Sequence, residues 1–133
     1  FVEHHWNELL KFSRRSEYSM NRWAARYGYE HTSKAILDKA KKNSFGRYAA
    51  VNLCNYYTVE FRMFRGTLKY NTLIAALQIV NQICDAAFYM SDEEMQKLSW
   101  SEFVAGLDEP ELIQYLKERN LYINETIDAE EEM

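Results

Sequence analysis

Almost all of this 133-residue sequence repeats its apolar residues at the three-to-four interval of a helix, and the one stretch that breaks the pattern lies between Tyr48 and Phe64. There the period shortens to two, and β-branched, aromatic and small residues dominate. Cys54-Asn55-Tyr56-Tyr57 is short enough to join two such segments as a hairpin. The expectation is an α+β fold, rich in helix, with a short antiparallel β-hairpin at about 47–54 and 58–64. A two-stranded ribbon is marginal alone in water. Its open edges therefore call for further strands, from polypeptide outside this chain or from a second copy of it.

The flanking segments read as helices. Val2, Trp6, Leu9, Leu10 and Phe12 form one apolar stripe, and Tyr18, Met20, Trp23, Ala24 and Tyr27 a second that ends at Gly28. Thr32 or Ser33 can cap a third helix that closes on Lys39, Lys41 and Lys42, cations suited to the negative end of its dipole. Asn71 or Thr72 opens a long helix at about 71–89, whose Leu73, Leu77, Val80, Cys84 and Ala87 or Phe88 form a stripe suited to packing under the hairpin. Ser91-Asp92-Glu93-Glu94 and Ser99-Trp100-Ser101-Glu102 have the form of capping boxes. Pro110 sits in the first turn of a last helix through Leu112, Ile113, Tyr115 and Leu116. One domain over 1–125, then an acidic tail at 126–133, is the expected organisation.

No run reaches the roughly 18 uninterrupted apolar residues of a membrane helix, because Gln78 and Asn81 interrupt the longest one. Phe1-Val2-Glu3-His4-His5 has neither the basic nor the apolar region of a signal peptide, and without an initiator Met the chain is expected to be trimmed or processed, or preceded by further sequence. Cys54 and Cys84 are too few for a disulfide framework and are expected to be small buried thiols of a cytoplasmic protein. The net charge of −4 hides an asymmetry: residues 1–70 carry 13 Lys/Arg against 6 Asp/Glu, and residues 71–133 carry 3 against 14. Either the basic half meets an anionic ligand, or the two halves dock on each other.

The second predicted strand concentrates the chemistry. Alternation puts Val59, Phe61 and Met63 toward the helices and Thr58, Glu60 and Arg62 on the other face. A carboxylate and a guanidinium two residues apart stand roughly 7 Å from each other along a strand, a spacing that can grip a ligand between them. An ordinary cross-strand ion pair on a half-exposed face is the competing reading. Glu60 could ligate Mg2+, while Arg62 and Arg65 neutralise a phosphate. His4, His5 and His31 are read as solvated histidines and the three tryptophans as core or subunit contacts. Lys34, Lys39, Lys41, Lys42 and Arg47, with Tyr27, Tyr29 and Tyr48 nearby, resemble a nucleic-acid surface. The pI near 5.4 argues against a dedicated nucleic-acid binder.

The runs Arg47-Tyr48-Ala49-Ala50-Val51-Asn52-Leu53 and Thr58-Val59-Glu60-Phe61-Arg62-Met63-Phe64-Arg65-Gly66-Thr67-Leu68 look like the core of amidoligase proteins from bacteria and their phages. Phe12-Ser13-Arg14-Arg15 and Leu98-Ser99-Trp100 extend the similarity over most of residues 1–125. The resemblance implies the carboxyl-terminal part of a glutamine synthetase-like or glutamate–cysteine ligase-like fold. It also implies ATP-dependent ligation of a small-molecule or peptide carboxylate to an amine, with Mg2+ screening charge. It assigns Glu60 as a metal- or substrate-binding acid and Arg62 as the arginine at the transferring phosphoryl group. Arg47 and Arg65 become phosphate or carboxylate anchors, with Arg14 and Arg15 as further candidates. A lone Glu60 makes a poor Mg2+ site, so the missing ligands are expected on upstream strands. The alternative is a non-catalytic module whose basic half binds nucleic acid or a protein.

Overall fold

The contact that organises the molecule is between its longest helix and its last one. The computed structural model describes residues 1–42 and 46–122, so the acidic tail at 126–133 lies outside the described residues, as does the end of the 1–125 domain. In chain order the elements are α1 (Trp6–Ser13), α2 (Glu17–Trp23), α3 (Ser33–Lys42), β1 (Val51–Asn52), β2 (Glu60–Phe61), α4 (Tyr70–Tyr89), α5 (Asp92–Lys97), α6 (Trp100–Ala105) and α7 (Pro110–Glu118). The expected helix-rich α+β fold with an antiparallel hairpin is present.

α4 and α7 pack along their lengths, and polar side chains of α4 bond to the start of α7. The Gln78 amide accepts from Leu112 N–H (3.0 Å) and donates to the Glu111 carboxylate (3.0 Å). Asn71 donates to Glu111 O at 3.2 Å, and Gln82 to the Glu109 carboxylate. The first turn of a helix has N–H groups without intrahelical partners, and Glu109 at the N-cap makes no side-chain cap bond; Gln78 fills that role from another helix. Thus Asn71 does not cap α4, which opens one residue earlier at Tyr70 with Lys69 before it.

The buried face of α4 is Thr72, Ala75, Ile79 and Ile83. The predicted stripe is on the other side: Leu73 is 48% exposed, Leu77 61% and Phe88 81%. Two apolar stripes share this helix, and α7 selects the one with small Ala75 for close approach. By length and composition α4 could also cross a membrane, contrary to expectation, although its Ile79 face is in the core. Leu9, Phe12, Met20, Met63, Val104, Leu112 and Leu116 complete that core. Tyr115 crosses it, its ring edge-on to Phe12 at 4.6 Å and its hydroxyl donating to Phe12 O at 2.6 Å.

The strands are shorter than expected. Val51 pairs with Phe61 and Asn52 with Glu60, but Asn52 Oδ1 turns back to accept from Cys54 N–H (2.9 Å), ending β1. Ahead of β1, Ala49 bridges Ala25 in parallel. Ala25 N–H donates to Tyr48 O (2.7 Å) and Ala50 N–H to Ala25 O (2.8 Å). This bridge draws Ala24 and Ala25 out of the helical pattern, so α2 stops at Trp23 rather than at Gly28. Glu3, only 7% exposed, fastens the amino-terminal segment to the same place, accepting from Tyr27 N–H (2.7 Å) and Arg26 Nε (2.9 Å). Several local signals held: Thr32 and Ser99 cap their helices, Ser91 and Glu94 form a full capping box, and Pro110 opens α7, but at Ser99 no box closes, because the Glu102 carboxylate accepts from Ser99 Oγ instead of its backbone N–H. Both cysteines are exposed, not buried.

His5 is buried instead of solvated, among the rings of Phe1, His4 and Trp100. Burial first, then the charge of His4, lowers its pKa from 6.5 to about 4. The unfolded chain therefore takes up a proton near pH 6.5 that the folded chain refuses until about pH 4. The stability this contributes is full above pH 6.5 and is lost as pH falls through that window, by at most about 3 kcal/mol. Urea unfolding of the wild type should show that slope between pH 6.5 and 4.5, and His5→Phe should flatten it. At dilute concentration and neutral pH, Ile79→Ala should cost about 2–5 kcal/mol, whereas Leu77→Ala should stay within about 0.5 kcal/mol. Equal losses would mean that the Leu77 face is covered.

Candidate anion-binding cleft

α1 ends because Arg14 takes a left-handed conformation (φ 62°), which turns the chain toward α2 and points it at the segment after β2. There Arg65 N–H donates to Ser13 O at 3.1 Å, and the Arg14 guanidinium donates to Arg65 O at 2.9 Å. Residues about fifty positions apart are thereby joined by one backbone bond and one guanidinium bond. The result is an open cleft of about 760 Å3 lined by Arg14, Arg15, Ser16, Ser19, Trp23, Arg62, Arg65 and Gly66. Four of the six site residues expected from sequence meet in it.

Among the described residues no carboxylate lines this cleft. Among the described residues neither Arg14, Arg15 nor Arg65 has a salt bridge, and Arg62 alone is paired, with Glu60. Such a concentration of guanidinium groups raises the local potential and favours an anion, above all one that can accept paired N–H donors. Gly66 has open space where a side chain would project, leaving the backbone approachable. A second groove of about 530 Å3 shares Arg14, Arg15, Ser16 and Arg65 with the first and adds Lys11 and Arg119, so positive charge continues around the end of α1.

Glu60 turns toward Arg62. Its Oε1 accepts from Arg62 Nη1 (3.3 Å) and Asn52 Nδ2 (3.2 Å), so the two charges close on each other. The Asn52 amide first, then Arg62, holds the Glu60 carboxyl below its ordinary pKa. Among the described residues no group of three or more His, Cys, Asp or Glu is placed to hold a metal ion; Glu60 offers a single carboxylate already engaged on one oxygen. A Mg2+ site made by these residues alone does not fit.

Arg47 is outside the cleft. It lies over the Tyr48 ring (5.2 Å) and donates to the Tyr48 hydroxyl at 3.2 Å, lowering the phenol's pKa through that bond and its charge. Tyr48 is the support behind the cleft: the Arg62 guanidinium sits 5.5 Å from its ring, and Trp23 packs edge-on to it at 5.5 Å. Arg62 Nε is buried with no hydrogen-bond partner among the described residues, a cost of roughly 1–3 kcal/mol. Of the expected nucleic-acid surface, Lys39 is tied to Glu30 and to Tyr27 O.

No family model, curated protein or solved structure matches this chain.

The chemistry is carried by the cleft's own residues, several of which the sequence did not disclose. Trp23 is 44% exposed and stands beside the arginines as an aromatic surface on which a base or ring can stack. Ser16 and Ser19 add hydroxyls at the start of α2, although Ser16 Oγ already accepts from Ser19 N–H. Lys11 and Arg119 come from elements distant in sequence. Trp23, expected to be a core or subunit contact, instead stands half-exposed at the cleft. The role of Asn52 is open to a direct check. Asn52→Ala should move the Glu60 titration upward toward the ordinary carboxylate range, followed by 13C NMR of the side-chain carboxyl; an unmoved midpoint would show that Asn52 does not hold it.

Proposed function

We propose that this chain supplies the cationic, phosphate-binding part of an ATP-dependent carboxylate–amine ligase and is inactive without strands from outside it. The observation that carries this reading is the meeting of Arg14, Arg15, Arg62 and Arg65 in one open cleft with no lining carboxylate among the described residues. The same residues fall in or beside the sequence runs that resemble amidoligases, and the helix-rich α+β fold is compatible with a partial glutamine synthetase-like domain.

The fit to a nucleotide is chemical. A triphosphate is a chain of bidentate acceptors, and the cleft is a cluster of bidentate donors. ATP, when bound, supplies the phosphoryl group that activates a carboxylate. Arg62 and Arg65 neutralise phosphate oxygens, and Arg14 and Arg15 stand at the junction of the two grooves, where a substrate carboxylate can be held against them. Tyr48 fixes the Arg62 plane, and Trp23 offers its face to the base. Fixed charges of this kind lower a barrier only where charge develops near them. The acidic residues required for Mg2+ would come from the missing strands, with Glu60 at most one contributor. The carboxylate and amine substrates would be small molecules or a peptide, in the cytoplasm of a bacterium or in a phage-infected cell.

Trp23 beside several arginines also suits a single-stranded nucleic acid, which is the second reading. Titration with ATP, followed by calorimetry and by Trp23 fluorescence, separates the two. Saturable binding is expected, weakened about tenfold or more by Arg62→Ala or Arg65→Ala through loss of a charged hydrogen bond. Chelating Mg2+ should leave ATP affinity unchanged or raise it, since the cleft itself is purely cationic. Absence of saturable ATP binding, or wild-type affinity in both variants, would remove the ligase reading. Tight oligonucleotide binding that collapses with salt would put nucleic acid in its place.

A further inference from the structure

Among the described residues, β2 has one edge bonded to β1 and no strand on the other. Arg62 N–H donates to Ala50 O (2.9 Å) and Glu60 is in register with Asn52, so both turn their backbone groups toward β1. By the alternation of an antiparallel pair, Phe61 between them turns its N–H and C=O to the open edge. An open edge of this kind is a template for another strand. Beside it an apolar cleft of about 440 Å3 is bounded by Leu37, Leu53, Val59, Phe61, Cys84 and Phe88. A second groove, of about 390 Å3, continues from Val59 and Phe61 along Leu73, Leu77 and Val80. The exposed stripe of α4 therefore runs as a floor under the free strand edge.

We infer that two copies of this chain pair antiparallel through the open edge of β2, about a two-fold axis at Phe61. Around that residue the sequence Val59-Glu60-Phe61-Arg62-Met63 is complementary to itself. Phe61 faces the partner's Phe61 and exchanges both backbone bonds with it. One step out, Glu60 faces the partner's Arg62 and Arg62 faces the partner's Glu60. Two steps out, Val59 lies beside the end of the partner's strand, where Met63 is already buried in its own core. Apolar residues thus meet apolar residues on the face above α4, and opposite charges meet on the other face, the arrangement that favours cross-strand pairs. A register slip would set side chains of opposite faces against each other.

The area is of the right order. Leu37, Leu53, Val59, Leu73, Leu77 and Phe88 are 37% to 81% exposed. Together they offer on the order of 500 Å2, and the strand backbone and its neighbours add to it, against roughly 800 Å2 per partner in a standard interface. The result is a four-stranded sheet, β1-β2 and its symmetry mate, over two α4 helices. It also sets each Glu60 between its own Arg62 and the partner's Arg62, so the second copy supplies an arginine at the border of the cationic cleft.

Sedimentation velocity over a concentration series from micromolar to millimolar tests this. Wild type should approach twice 15.9 kDa. Glu60→Arg alone and Arg62→Glu alone each oppose like charges across the axis and should weaken the dimer about tenfold or more. The double variant Glu60→Arg/Arg62→Glu restores opposite charges and should recover it. Circular dichroism of each variant reports that the fold is kept. A monomer at every concentration overturns the inference, as does a dimer indifferent to the single reversals or a double variant that stays monomeric. A monomer that instead floats with phosphatidylcholine vesicles assigns the apolar face to a bilayer and also overturns it.

Discussion

The cleft exists because two hydrogen bonds join the end of α1 to the segment after β2: Arg65 N–H to Ser13 O and the Arg14 guanidinium to Arg65 O. Without them the arginine pairs at 14–15 and 62–65 would sit on separate elements, each solvated and screened. Brought together, they repel one another. The folded state tolerates that repulsion because Tyr115 and Phe12 hold the same corner in the core, through a hydroxyl bond to Phe12 O and an edge-on ring contact. Packing energy is therefore what keeps like charges close, and an anion would relieve them.

What was legible in the sequence was local. The caps at Thr32, Ser91 and Ser99 and the proline in the first turn of α7 each act within four residues, and each is where the pattern put it. What was not legible depended on partners far along the chain. α2 ends at Trp23 because Ala25 bonds to Tyr48 and Ala50, a competition between a helix and a bridge that no window around residue 23 contains. The two faces of α4 are both apolar at the helical period, and only the position of α7 decides between Ile79 and Leu77. His4 and His5 are adjacent and chemically identical, yet one is exposed and the other buried.

The candidate site divides in the same way. Alternation on an extended segment set Glu60 and Arg62 on one face, where they meet, and four of the expected arginines come together in one cleft. Whether the acid and base would hold a ligand or each other was a question of side-chain reach, and in the structure they hold each other. Trp23 and Tyr48 enter the site only through tertiary packing, as a ring pair that braces Arg62. The core in turn leaves one side of α4 bare, so the internal packing of this chain and its external surface are two faces of a single helix.

Arg14 is caught between two demands. Its positive φ is a conformation in which a side chain costs roughly 1–2 kcal/mol and glycine is free of that cost, so the backbone at that position would be better served by a residue with no charge. The carboxyl end of α1 instead carries a strained guanidinium aimed at the neighbouring segment. Redesign of this chain for thermal robustness alone would choose glycine there first, and would in the same step erase one of the few cations that the two grooves have in common.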